Sequence, residues 1–276
     1  MKRVFLDNNT YINAFEKKRE PTCSRVSEIL LQSDVELVLS EELLDEFAQT
    51  DNAEIAEHLL NSALQNKCVW IESFEQIQRK EVGNYVRSSL LNLEVQPIKP
   101  FAERYHLLPD SHPNVQPIDF LRACMAQRHR DGMAASHREH ANILNKLQIA
   151  TKQGLFTSDR NEQALFSLIR SRIPQEVMLQ AERIGFSFKD VVEHCLNNWE
   201  VMYESCPSMN TERHLSDYRA SDPTRRTRSS DSKDLTMSVA VLPYVDEFVS
   251  GDGYLHGGLK YVQRKIPTIT TSIFKY

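Results

Sequence analysis

Short, wholly apolar runs alternate along the N-terminal part of the chain with stretches of helical periodicity. Val4–Leu6 reads as a buried strand, Thr10–Lys17 and Ser24–Gln32 as helices, and Glu36–Ser40 as a second strand rich in β-formers. Ser40 is the expected N-cap of the next helix. Glu41 and Glu42 follow it at the positive end of the helix dipole, and Leu43, Leu44 and Phe47 form an apolar face. A helix at about Ala53–Leu64 and a strand at Cys68–Ile71 complete the alternation, which predicts a parallel sheet covered on both faces. Ligands of such sheets bind beyond the carboxyl ends of the strands, and Asp7 closes the first strand.

From about 74 to 205 the pattern is helical, with little strand signal and no internal repeat; roughly five to seven helices are expected. In Ser187–Glu204 the residues Phe188, Val191, Val192, Cys195, Leu196, Trp199, Met202 and Tyr203 recur at helical spacing, and Ser187 with Asp190 forms a capping-box-like start. Asp159 with Glu162, and Pro174 ahead of Gly185, mark two further helices. Residues 206–233 lose periodicity and become rich in Ser, Thr, Arg and Asp, which predicts a flexible loop. Strand and helix order returns with a helix at about 233–244, a strand at Glu247–Ser250, a helix at Tyr254–Arg264 and a final strand at Thr268–Phe274. The expected organisation is therefore a core from 1–73 and 231–276, an all-helical insertion at 74–205 and a basic, Ser-rich loop at 206–230.

With 276 residues, 41% hydrophobic and 26% charged, the chain is long and apolar enough to bury a core, which excludes disorder throughout. A net charge of -5 provides no global basic field, so contacts to a polyanion would have to come from local patches. The five cysteines, Cys23, Cys68, Cys124, Cys195 and Cys206, show no CxxC pair and are expected to be reduced thiols of a cytoplasmic protein. No run approaches the roughly 20 apolar residues of a membrane span, and MKRVFLD is too short in apolar residues for a signal sequence.

Four acids stand at the ends of apolar runs: Asp7 after VFL, Glu46 after ELVLS, and Asp234 and Asp252 on either side of a helix-then-strand segment. Carboxylates suit hard cations such as Mg²⁺ and Mn²⁺, and like charges gathered in one cleft are unfavourable unless a cation compensates them. Acids are common in this chain and are attracted to helix starts, so Glu42 competes with Glu46, and Asp246 competes with Asp252.

These residues resemble the PIN-domain nucleases. The first motif of that family, a strand ending in Asp with Asn two positions on, is matched by VFLDNN with Asp7 and Asn9. Its second acid, about six residues after the Ser closing the second strand, falls on Glu46. Its third and fourth acids, flanking a helix-strand unit that ends in Ser or Thr, any residue, then Asp, fall on Asp234 and on Asp252 in Ser250-Gly251-Asp252. The resemblance covers about 1–73 and 231–276 and leaves the helical middle unexplained. It implies a three-layer α/β/α fold, a Mg²⁺ or Mn²⁺ site, and hydrolysis of RNA phosphodiester bonds. In that reading Asp7 is the central metal ligand, Glu46 and Asp234 complete the set, and Asp252 binds directly or through water. Asn9 and Ser250 support these ligands or contact phosphate.

Arg225, Arg226 and Arg228, just ahead of Asp234, are candidates for binding a polyanion such as RNA. The basic stretch Arg122–Arg130 is a weaker candidate, as are His137 and His140, one helical turn apart but without a third metal ligand. Trp70 and Trp199 are expected in the core. The favoured class is a metal-dependent endoribonuclease, as in a toxin or defence effector, with an antitoxin or other regulatory protein as a partner and homo-oligomers open. DNA or structure-specific cleavage is the nearest alternative, and a catalytically silent nucleic-acid-binding or scaffold protein is the other class.

Overall fold

The computed structural model describes residues 1–50, 52–95, 97–102, 116–128, 158–221 and 229–276, with the backbone alone at 127–128, 158–164, 220 and 229–233. Among the described residues six strands form one sheet: β1 (Lys2–Leu6), β2 (Val35–Leu39), β3 (Cys68–Ile71), β4 (Phe101–Ala102), β5 (Glu247–Ser250) and β6 (Ser272–Lys275). Their order is β4-β3-β2-β1-β5-β6, with every neighbouring pair parallel except β3 and β4. Val4, Phe5 and Leu6 of β1 are fully buried, as are Leu37, Val38 and Leu39 of β2. Successive strand residues point to opposite faces, so runs buried at every position mean that helices cover the sheet on both sides. Chain order forces long crossovers between parallel neighbours, and the helices fill them. The α/β class is thus the expected one, although the two-residue antiparallel edge strand β4 carries no signal in the sequence.

Ahead of β3 lie α1 (Asn8–Tyr11, continuing as a π-helical turn through Glu16), α2 (Thr22–Leu30), α3 (Glu41–Phe47) and α4 (Ala53–Leu64). Ser40 caps α3 as expected, its Oγ accepting from Leu43 N at 3.2 Å. The middle of the chain supplies α5 (Phe74–Ser89), α6 (Pro117–Arg128), α7 (Ser158–Arg172), α8 (Gln175–Arg183), α9 (Phe188–Asn197) and α10 (Trp199–Ser205). Ser187 and Asp190 close the capping box that starts α9.

Among the described residues the apolar interior falls into two clusters. One surrounds the sheet, and the other joins the middle of α5 to α7–α10 through Val82, Tyr85, Val86, Val177, Val191 and Met202. Leu121 and Cys124 of α6, and Ile77 of α5, belong to the sheet cluster, so part of the stretch expected as an all-helical insertion packs on the core.

The expected loop at 206–230 is corrected over Pro207–Ser221, which forms a fifteen-residue helix, α11. Its periodicity escapes notice because its buried face is largely polar and small: Ser208, Asn210 and Thr211 are buried along with Met209 and Leu215. Its N-terminus is capped from a distance by Glu81 of α5, whose carboxylate accepts from Ser208 N at 2.9 Å and Met209 N at 3.5 Å. Then come α12 (Ser229–Val241), which starts ahead of its expected position, β5, and α13 (Gly253–Lys265). The last strand starts at Ser272 rather than Thr268, and just ahead of it Thr271 Oγ1 donates to Leu242 O and Val245 O at 2.6 and 2.8 Å. None of the five cysteines forms a disulfide, and among the described residues no helix is long and apolar enough to cross a membrane.

Candidate functional site

β1 is a central strand, so its carboxyl end opens between β2 and β5. There the chain turns from strand to helix, and Asp7 serves as N-cap of α1. Its Oδ1 accepts from Thr10 N at 2.7 Å and Thr10 Oγ1 at 2.6 Å, and its Oδ2 from Ser250 Oγ at 2.6 Å and Gly251 N at 3.1 Å. Asp7 N donates to Val249 O at 3.0 Å, locking the ends of the two parallel strands together. The carboxyl is almost wholly buried, and burial pushes it above the usual carboxylate range against the opposing pull of Ser250, Thr10 and Gly251.

Ser250 is the hinge of the arrangement. Besides donating to Asp7, its Oγ accepts from Asp252 N at 3.0 Å. Asp252 in turn caps α13, its Oδ1 accepting from Tyr254 N at 2.6 Å and Leu255 N at 2.9 Å. Asn9 is exposed beside this turn: a side chain at Gly251 would place a Cβ 3.2 Å from Asn9 Cβ, so the absence of one lets the two segments touch. Asp7, Asn9, Ser250 and Asp252 are therefore brought together.

Glu46 and Asp234 are half-buried on α3 and α12, two helices that pack against each other, and α3 also packs on α1. Glu46 thus stands on a helix adjoining α1, which Asp7 caps, and Asp234 on the helix packed beside that one. Glu42, one turn before Glu46, has a buried Oε2 without a hydrogen-bond partner. Burial raises its carboxyl, and Asp45 and Glu75 add to the effect. Burial, with Glu42 alongside, also pushes Glu41 up to about 7. The start of α3 thus gathers two carboxyls that burial disfavours in their charged form.

Asp246 is excluded as a partner of this group. It precedes β5, is exposed, and accepts from Arg3 N at 2.7 Å at the opposite edge of the sheet. Arg225, Arg226 and Arg228 lie outside the described residues, as do His137, His140 and Arg130. Arg122 is committed to Glu57, with Nε 2.8 Å from Oε1. Trp70 is in the core as expected, whereas Trp199 is half-buried with the Arg213 guanidinium over its ring.

Two cations near His256, one of them close to the turn that carries Asp252, were missed from the sequence. Lys275 Nζ lies 2.8 Å from where a Cβ on Gly253 would stand, and His256 is lowered by burial and then by the charges of Lys260 and Lys275, which share its surroundings. Among the described residues neither lysine has a carboxylate within ion-pair distance. The alternation in GYLHGGLKYVQRK carries the signal for Lys260, while Lys275 arrives from β6 through the fold.

The donors at this edge are carboxylate, hydroxyl and amide oxygens, a set suited to a hard divalent cation, and the unpartnered Glu42 Oε2 and desolvated Asp7 are charges a cation would compensate. Among the described residues no three His, Cys, Asp or Glu side chains form a ready-made metal group. No protein-family model matches the chain, no curated protein matches its sequence, and no solved structure matches its fold.

Proposed function

We propose that the chain is a metal-dependent nuclease of the PIN-like kind that hydrolyses phosphodiester bonds in RNA, with Mg²⁺ or Mn²⁺ held by Asp7, Glu46, Asp234 and Asp252. The observation that carries the reading is the buried Asp7 carboxylate at the carboxyl end of a central parallel strand, linked through Ser250 to Asp252 at the end of its neighbour. A bound divalent cation supplies polarisation of a phosphoryl oxygen and a water acidified for attack. The chain's own contribution is orientation. Thr10, Ser250 and Gly251 hold the Asp7 carboxylate in one pose, and Lys260 and Lys275 offer positive charge to the phosphates of a strand lying past Asp252. Asn9, exposed at the same turn, offers an amide to a phosphate or sugar oxygen.

DNA as the substrate is the alternative within this reading. A second reading, binding of nucleic acid without cleavage, is favoured by one observation: both Asp7 oxygens are already occupied by hydrogen bonds, and no group of three ligands is drawn together among the described residues. Incubating the purified protein with labelled single-stranded RNA and DNA of matched sequence, in Mn²⁺, Mg²⁺ or EDTA, separates the three. Cleavage that needs the metal supports the nuclease and names its substrate. Retention of the strand without cleavage in any metal supports the second reading.

A further inference from the structure

A cleft of about 830 Å³ lies between one face of α5, the start of α8 and the 97–99 segment. Four cations line it, Arg79, Lys80, Arg87 and Lys99, against two acids, Glu72 and Glu176. Each acid already has its counter-ion: Lys80 pairs with Glu72, and Arg87 Nη2 stands 3.8 Å from Glu176 Oε1. Among the described residues Arg79 and Lys99 have no such partner, so two positive charges face the cleft uncompensated.

The backbone adds to this field. The N-cap of α8 is Pro174, which has no side-chain acceptor for the first amides of the helix, and the residues that carry those amides, Gln175 and Glu176, line the same cleft. Gly83 allows the close approach that shapes it, because a Cβ there would stand 3.1 Å from Pro174 Cγ and 3.3 Å from Val177 Cγ2. Pro97, Ile98 and Pro174 give the cleft an apolar wall. An apolar wall facing a few convergent polar groups is how small-molecule sites are built, and the volume is within the roughly 300–1,000 Å³ of such sites.

We propose that this cleft binds a small phosphomonoester of nucleotide size, with the phosphate held by Arg79, Lys99 and the α8 N-terminus and the organic body against Pro97 and Ile98. A phosphomonoester carries close to two negative charges at neutral pH, which matches the two uncompensated cations. The guanidinium of Arg79 fits phosphate oxygens in a fork. A nucleic-acid strand fits less well, since its singly charged phosphates need cations spaced along a track, and the other two cations here are committed to Glu72 and Glu176. The site is separate from the acid edge at Asp7 and stands or falls independently of the nuclease reading.

Isothermal titration of the full chain in EDTA, with AMP as the probe and adenosine as its phosphate-free control, tests this. AMP is expected to saturate one site at least about ten-fold more tightly than adenosine, and Arg79→Gln and Lys99→Gln are each expected to weaken it by about ten-fold, the scale of one charge-assisted contact. Both side chains are exposed, so folding is not at stake. AMP binding no better than adenosine, or equal affinity in the Arg79 and Lys99 variants, overturns the proposal. So does a result in which a 5′-phosphorylated oligonucleotide binds through Arg79 and Lys99 while AMP does not.

Discussion

Glu81 joins the helical unit to the sheet, and its replacement by Gln gives a prediction whose sign and size follow from its surroundings. The carboxylate is fully buried on α5 and accepts from Ser208 N, Met209 N and the Tyr244 hydroxyl. Burial outweighs these donors and pushes it from 4.5 up to about 7. Such a displacement corresponds to roughly 3 kcal/mol of penalty on the ionised folded state. Because the folded carboxyl keeps its proton to a higher pH than the unfolded one, this contribution is fully present below 4.5 and is lost as pH rises through about 7. Gln keeps an oxygen for the Ser208 amide and cannot ionise, so it lacks the dependence. Urea unfolding of wild type and Glu81→Gln from pH 4.5 to 8 should therefore show the wild-type advantage shrinking by roughly 3 kcal/mol, with the variant at least as stable at pH 8. The raised acids Asp7, Glu41 and Glu42 are common to both proteins and cancel in the difference. A difference that stays flat across this range would refute the reasoning.

Ser250→Ala removes the hydroxyl shared by Asp7 and Asp252; metal-dependent cleavage should fall by roughly 10- to 100-fold while urea unfolding registers a loss of about 1 kcal/mol. Phe248→Ala empties a fully buried site whose ring centroid lies 5.0 Å from that of Phe5, and should cost about 3–5 kcal/mol in the same unfolding assay. Lys260→Gln combined with Lys275→Gln should reduce the slope of log affinity against log salt for single-stranded RNA by about 0.7 per lysine, measured by fluorescence anisotropy. An unchanged slope would remove these lysines from the RNA path.

The strands of the core were legible because Val4–Leu6, Leu37–Leu39 and Val69–Ile71 are buried at consecutive positions, and a parallel sheet covered on both sides leaves that mark. The caps of α3 and α9 were legible because Ser40 and Ser187 act within three residues of themselves. α11 was not, since its cap comes from Glu81, far away in the chain, and its buried face is built from Ser208, Thr211 and Leu215 rather than an apolar stripe. At the site, the turn from Ser250 to Asp252 and the end of β1 could be paired from their sequence patterns, but the contribution of Thr10 depends on how α1 turns back on Asp7. Asp246 and Asp252 look alike in the sequence, and only strand direction places them at opposite edges of the sheet. The burial of Glu42 likewise depends on which helices cover α3, which local pattern does not state.

The most direct test of the nuclease reading is thermal unfolding of wild type and Asp7→Asn in EDTA and in rising Mn²⁺, run beside cleavage of labelled RNA. A cation at 100 times its dissociation constant adds about 2.7 kcal/mol to the folded state, a rise of several degrees for a chain of this size. The account predicts that rise, and Mn²⁺-dependent cleavage, in wild type, with both lost in Asp7→Asn although the variant remains folded in EDTA. Cleavage and metal stabilisation that persist undiminished in Asp7→Asn would contradict it.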